Sequence, residues 1–293
     1  MLTLLRGVGD ALAHARLDLV AVALALHLTG LVITGERWRL VIAALGHRLS
    51  LTRTILINLA GIFVRNATPT TGLGGDASRI LLLRSEGVPL DRGAAAFAYV
   101  RLAEIPSIVL LVVSATPALT ALARRSTTAL AIASALVAIA VVIAWLLRGR
   151  LRSQIDSLLE QTRHLRIGRR AVAGAVLYAT LAQAETVARQ MVVAAACGMP
   201  LTVQQSATVA AMSIVGGFVP TVGSVGAIDG SIVAGLMLFG ADARTAVAIT
   251  VIERLISFGV STALGAAALA YLGGRGILRA AGALDARRVA EES

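Results

Sequence analysis

The chain has 293 residues, 57% of them hydrophobic and only 15% charged, with a mean hydropathy of +0.82 and a net charge of +11. A soluble domain carries about a quarter charged residues, so this balance excludes an ordinary soluble enzyme and implies a polytopic helical membrane protein. The single Cys197 excludes an internal disulfide or cysteine metal cluster, and because all 27 basic residues are arginine there is no P-loop, kinase or Schiff-base lysine.

Met1 to Asp18 carries Arg6, Asp10, His14 and Arg16 ahead of the first apolar run. No small-residue cleavage site follows, so this reads as an uncleaved start whose first span is its own insertion signal. Leu19 to Gly35 is the first predicted span, followed by a basic loop from Glu36 to Arg53. Thr54 to Pro69 is shorter and broken by Asn58, Arg65 and Asn66; Gly72 to Gly87 is too charged to cross lipid readily. Gly93 to Ala115 is interrupted by Arg101, Glu104 and Pro106, whereas Thr128 to Leu147 is the least polar span. The loop from Arg148 to Arg170 holds seven arginines against Asp156 and Glu160, which predicts a cytoplasmic side. Ala171 to Ala196 carries Gln183, Glu185, Arg189 and Gln190; Val203 to Pro220 follows, and Ala243 to Leu272 is a long last span with Glu253 and Arg254. Between these two lies the Gly-rich Val222 to Gly240, holding only Asp229. If the basic tail beyond Gly273 is cytoplasmic too, this stretch must supply an extra crossing.

The expected fold is therefore all-α, with seven to eight spans in one membrane domain over residues 1–293. Its parts are a first half of about 19–147, a basic loop 148–170, a second half of about 171–272 and a basic tail 273–293. The halves share a pattern. Pro69, Gly72, Gly75, Gly87 and Arg101 recur in order as Pro220, Gly223, Gly226, Gly240 and Arg254, with 14 residues from the fourth to the fifth in both copies. Duplicated Gly/Pro-broken apolar segments mark re-entrant or half-helix motifs near the midplane of transporters, and an inverted repeat would also reconcile the basic loops.

Ionised side chains inside a bilayer cost about 2.5–3.5 kcal/mol each, so each needs a reason. Arg101 and Glu104 are i,i+3 and Glu185 and Arg189 i,i+4, spacings that pair on one helix face. Glu253 and Arg254 are adjacent, about 100° apart, so at least one must find a partner elsewhere. The glycines Gly72, Gly75, Gly223 and Gly226 would let backbone approach a ligand, with helix starts just beyond them. Asp76 and Asp229 either cap those helices or meet a cationic headgroup, with arginines meeting phosphate. Asn58, Arg65 and Asn66 either line the same cavity or fray a helix end, with the second reading preferred. Aromatics are only 3% and the arginines sit in short loops, which argues for an anionic leaflet and against nucleic acid. Enzyme motifs are missing: no G-x-S-x-G, no H-E-x-x-H, and four histidines far apart, of which His27 reads as a packed or interfacial residue.

The run Asn66-Ala67-Thr68-Pro69-x-x-Gly-x-Gly-Gly-Asp76-x-x-Arg79, with Gly87 and Arg101, resembles the membrane region of the lysylphosphatidylglycerol synthase family, also described as flippase-like integral membrane proteins. So does Gly216-Gly217-x-x-Pro220-x-x-Gly-x-x-Gly226-x-x-Asp229 with Gly240 and Glu253-Arg254. The resemblance spans roughly residues 20–272; Ile228-Asp229 departs from the glutamate often seen there in relatives. It implies movement of a lipid between leaflets of a bacterial-type inner membrane by a multi-pass protein. The cargo would be an anionic or zwitterionic phospholipid, or a hopanoid or polyprenyl-linked lipid, made by a separate lipid-synthesis enzyme partner. The expected substrate-binding residues are Arg101, Arg254, Asp76, Asp229, Glu104, Glu253 and Arg79 with the four glycines, with no cofactor, no metal and no catalysis. An intramembrane lipid-modifying enzyme and a non-transporting subunit of a lipid-synthesis complex are the alternatives.

Overall fold

A computed structural model describes residues 15–68, 73–125, 167–217 and 226–273, and these are helical throughout their regular structure. The helices are α1 (Leu17–Ala44), α2 (Leu51–Ala67), α3 (Leu73–Ser85), α4 (Leu90–Arg125), α5 (Arg169–Ala196), α6 (Val203–Gly216), α7 (Ala227–Leu238) and α8 (Ala243–Gly273). Four of them, α1, α4, α5 and α8, are long and apolar enough to cross a membrane. The predicted span Thr128–Leu147, most of the basic loop 148–170 and the tail beyond Gly273 lie outside the described residues.

The first predicted span was too short. Helix α1 runs on through Glu36-Arg37-Trp38-Arg39 into Leu40–Ala44, because the apolar periodicity resumes beyond the charges and Arg37 is buried rather than looped out. Conversely, α2, α3, α6 and α7 are shorter than the four candidate spans. At about 1.5 Å per residue, the 12 residues of α7 reach only about 18 Å against a hydrocarbon core of about 30 Å. These four helices form two hairpins. In the first, Gly75 packs on the Gly61 carbonyl while Arg53 and Glu86 meet at the open end (3.5 Å), so α2 and α3 are antiparallel. In the second, Gly216 meets Ala227 while Gly235 meets Val209, which makes α6 and α7 antiparallel as well. Each hairpin therefore returns to the side it left. A hairpin that returns to its own side adds no net crossing to those of the helices around it.

The two halves have the same plan of long helix, hairpin, long helix. The hairpins even begin alike: Ser50 accepts from the Arg53 N–H (3.3 Å), and Thr202 accepts from the Gln205 N–H (3.3 Å) in a capping box. Their leading helices α1 and α5 pack side by side in opposite directions. Arg16 N–H donates to the Ala196 carbonyl (3.0 Å), the Glu185 side chain crosses Gly30, and Leu40 covers Gly174. Equivalent helices that run antiparallel are related by an axis perpendicular to them, so the repeat is inverted.

Three apolar clusters follow from this arrangement, two of them large. One gathers Val41, Ile42, Leu83, Ala96 and Val100 around the first hairpin; the other gathers Val193, Val209, Leu236 and Ile249 around the second. Hydrophobic burial holds each end together, and the polar residues collect between them. The last long helix of each half is irregular at matching depth: α4 has Pro106 in its interior, and α8 turns π-helical over Leu255–Val260. Both irregularities directly follow the charged residues, a placement common at functional sites.

Candidate functional site

Between the two large clusters lies a cavity of about 360 Å³. It faces the middle of α1 (His27 to Trp38) and of α5 (Ala179 to Arg189), and α2, α3, α4 and α8 complete its wall. Its charges fall into two groups.

On the side of the first half, guanidiniums and carboxylates alternate. Arg37 Nη2 donates to Glu104 Oε1 (2.8 Å), Arg101 Nη1 to Glu104 Oε2 (3.0 Å), Arg101 Nη2 to Asp76 Oδ2 (2.6 Å) and Arg79 Nη1 to Asp76 Oδ1 (2.6 Å). Asp76 and Arg79 sit one turn apart on α3, and Arg101 and Glu104 one turn apart on α4, so helix spacing sets the alignment. Trp38 lies under the Arg79 guanidinium, 6.0 Å from its ring centre, and Phe97 under Arg101 at 5.5 Å. Arg65, from the last turn of α2, also lines the cavity. Its side chain is exposed to the cavity, and it forms no hydrogen bond or ion pair with a described residue. It stands in the field of Arg101, Asp76, Glu104 and Arg254. Four guanidiniums thus face two carboxylates, an excess of two positive charges.

On the side of the second half the balance is reversed. Arg189 donates through Nε to Glu185 Oε1 (2.8 Å) on its own helix and through Nη1 to Glu253 Oε1 on α8. Glu253 is 4% exposed and lies behind Arg189, away from the cavity wall, with Oε2 buried and unpartnered. His27 Nε2 and Ser261 Oγ are hydrogen-bonded at 2.8 Å beside this group.

The sequence-derived candidates separate accordingly. Asp76, Arg79, Arg101 and Glu104 line the cavity together. Glu253 reaches it only through Arg189. Arg254 and Asp229 pair with each other (Nε to Oδ1, 2.7 Å) outside the cavity wall, with Arg254 over the Phe258 ring at 4.7 Å. This pair repeats Asp76–Arg101: carboxylate and arginine are 25 residues apart in both halves. The expectation that Asp76 meets a headgroup cation does not hold, because both its oxygens are taken by guanidiniums and it is 6% exposed. Asp229 caps α7 by accepting the Gly226 N–H (2.8 Å) as well as pairing with Arg254.

Of the four predicted glycines, Gly75 serves close helix packing and Gly226 a turn. A Cβ at Gly75 would sit 2.4 Å from the Gly61 carbonyl oxygen, so only glycine lets α2 and α3 close. Gly226 has φ of 87°, the left-handed turn that starts α7. Gly72 and Gly223 lie outside the described residues. The frayed-end reading of α2 is overturned: Asn58 and Arg65 line the cavity, and Asn66 donates to Thr262 Oγ1 (2.8 Å). The sequence reading did not single out Arg37, which it assigned to a loop. The apolar run after Arg39 was the signal that could have placed it in a helix.

An all-helical membrane protein whose inverted halves enclose a charged cavity is the class that fold and site define. The sequence matches the lysylphosphatidylglycerol synthase TM region family over residues 1–265, so the chain belongs to that family, which links it to lipid metabolism or transport. No individual protein of curated function matches it in sequence.

Proposed function

We propose that the cavity binds the phosphate of a membrane lipid and that the protein carries the lipid between leaflets of the plasma membrane as a multi-pass flippase. Arg65 is the observation that carries this reading. It is a guanidinium on the cavity wall without a counter-ion among the described residues, and it raises from one to two the positive excess of the group it joins. Surplus positive charge open to a cavity attracts an anion that enters it, and the low dielectric of the surrounding protein and lipid strengthens that attraction. Arginine suits a tetrahedral phosphate through its paired N–H donors. The acyl chains would stay in lipid while the headgroup passes between the hairpins.

The inverted halves supply the other requirement. Two structurally equivalent states, each open to one side, are the basis of alternating access around a fixed central site. The reading is of a transporter and not an enzyme, because Asp76, Glu104 and Glu185 on the cavity wall are each held by arginine and so are poorly placed as general bases.

Reconstitution tests it. Proteoliposomes with fluorescent phosphatidylglycerol in both leaflets should lose the protected inner-leaflet signal to a membrane-impermeant quencher, and Arg65→Ala should abolish that loss. Equal protection with and without protein, for anionic, zwitterionic and polyprenyl-phosphate probes alike, would refute transport and favour a subunit that only assembles with lipid-synthesis enzymes.

A further inference from the structure

The second-half charges raise a separate question, because Glu185, Arg189 and Glu253 form a group of two carboxylates on one guanidinium. Arg189 Nε serves Glu185 and Nη1 serves Glu253, which leaves one negative charge over. Arg254, the next residue on α8, is committed to Asp229 and acts on Glu253 only through its field, without a hydrogen bond between them. On α1 the facing titratable group is His27, hydrogen-bonded to Ser261. On α5 itself Gln183 and Gln190 are neutral, and Gln190 Oε1 is within hydrogen-bond distance of Ser206 Oγ on α6 (3.4 Å). Glu253 Oε2 is buried without a partner, and a carboxylate oxygen there forgoes hydration with nothing in return.

We propose that this triad is a proton-binding site, holding one proton between Glu185 and Glu253 and taking it up more readily when an anion occupies the arginine side of the cavity. The size and ligand set select the proton. Glu253 is buried behind Arg189 and is not part of the cavity lining, a place that suits a proton better than an ammonium headgroup or a hydrated metal ion. Among the described residues there is no group of three or more histidine, cysteine or acidic side chains that would hold a metal. Arg189 in the middle also repels any other cation. Glu185 lines the cavity, so it is the group that exchanges protons with cavity water, and the pair titrates as a unit.

Charge balance links the proton to the cargo. The cavity arginines exceed their carboxylates by two, and the triad is short by one. The positive excess opposes protonation of the triad when the cavity is empty. A lipid phosphate placed there cancels that field, so anion and proton favour each other's binding, by linkage on the order of tenfold. This second clause rests on the reading of the cavity as an anion site; the proton site itself does not. The consequence is a carrier in which a proton travels with an anionic lipid, which would let a proton gradient drive transport.

Infrared difference spectroscopy of the purified protein between acid and alkaline pH is the test. The wild type should show a titrating protonated-carboxyl band, shifted in deuterated water, that is lost in Glu253→Gln and lost or moved in pH in Glu185→Gln. Absence of such a band in the wild type overturns the proposal. So does a band unchanged in Glu185→Gln, which decides the matter even where Glu253→Gln fails to fold. Proton uptake on adding short-chain phosphatidylglycerol to weakly buffered protein then tests the coupling, and no uptake overturns it. A titrating band in a protein that moves no lipid would leave the proton site standing while the flippase reading falls.

Discussion

At the level of single residues, the cavity separates side chains that hold the fold from one that does not. Arg189 is buried and serves two carboxylates. Its truncation to alanine strands Glu185 and Glu253 without a counter-ion, a change that typically costs about 3–5 kcal/mol. A thermal unfolding midpoint well below wild type in detergent is the expected result, and an unchanged midpoint would mean the triad is not formed. Arg65 has no such partner among the described residues. Arg65→Ala should stay within about 0.5 kcal/mol of wild-type stability, as do substitutions away from packed features. It should weaken binding of anionic lipid at least about tenfold, the equivalent of one charge-assisted hydrogen bond. Lipid titration followed by native mass spectrometry separates the two effects. The adjacent pair Glu253 and Arg254 behaves as helix geometry requires: one turns to α5, the other to α7.

Elements are where the glycines and prolines act. The small residues at the α2–α3 contact let two backbones approach, as they do between helices in lipid. Gly75→Ala forces a Cβ onto the Gly61 carbonyl and the Arg65 Cβ, both part of the closed hairpin. Overpacking of this kind costs about 1–3 kcal/mol, and here it would also displace Arg65. The expected outcome is lower thermal stability together with weaker lipid binding, whereas Gly226→Ala meets open space and carries only its backbone strain, about 1–2 kcal/mol. A Gly75→Ala protein as stable as wild type would show that the hairpin is looser than described. Asp242 acts at an element boundary as well: it accepts from Thr245 Oγ1 and from the Thr245 and Arg244 N–H groups at the start of α8. Those hydrogen bonds, the one from the Thr245 side chain foremost, hold its carboxyl below the usual aspartate range.

The whole molecule has a polarity that no single loop reveals. Because α1 and α5 are antiparallel, Arg39, Arg48 and Arg53 share one end with Arg169 and Arg170, while Thr202 and Asp242 lie at the other. Tyr271 reaches the first end too, with the Arg53 guanidinium 5.8 Å from its ring centre. The excess of basic residues predicts that the arginine-rich end faces the cytoplasm. In a Cys197→Ser background, Ser50→Cys should react with a membrane-impermeant thiol reagent only from the cytoplasmic side and Thr202→Cys only from the opposite side. Labelling of both from one side would contradict the inverted arrangement.

Composition, periodicity and repeated motif determined a good deal by themselves: an all-helical membrane protein, two equivalent halves, broken segments in each, and the charged positions worth watching. These are local or additive properties, and bilayer insertion responds to them residue by residue. The pairings i,i+3 and i,i+4 were legible for the same reason, since helix geometry fixes them without a neighbour. What the tertiary structure alone decided is which charges meet across helices. Arg37 finds Glu104, Arg189 finds Glu253, Asp76 and Asp229 turn to their repeat arginines, and Arg65 is left to the cavity. Those choices depend on hairpins folding back and on the two halves packing head to tail. Contacts between residues far apart in the chain arise from that packing, and no local pattern specifies them.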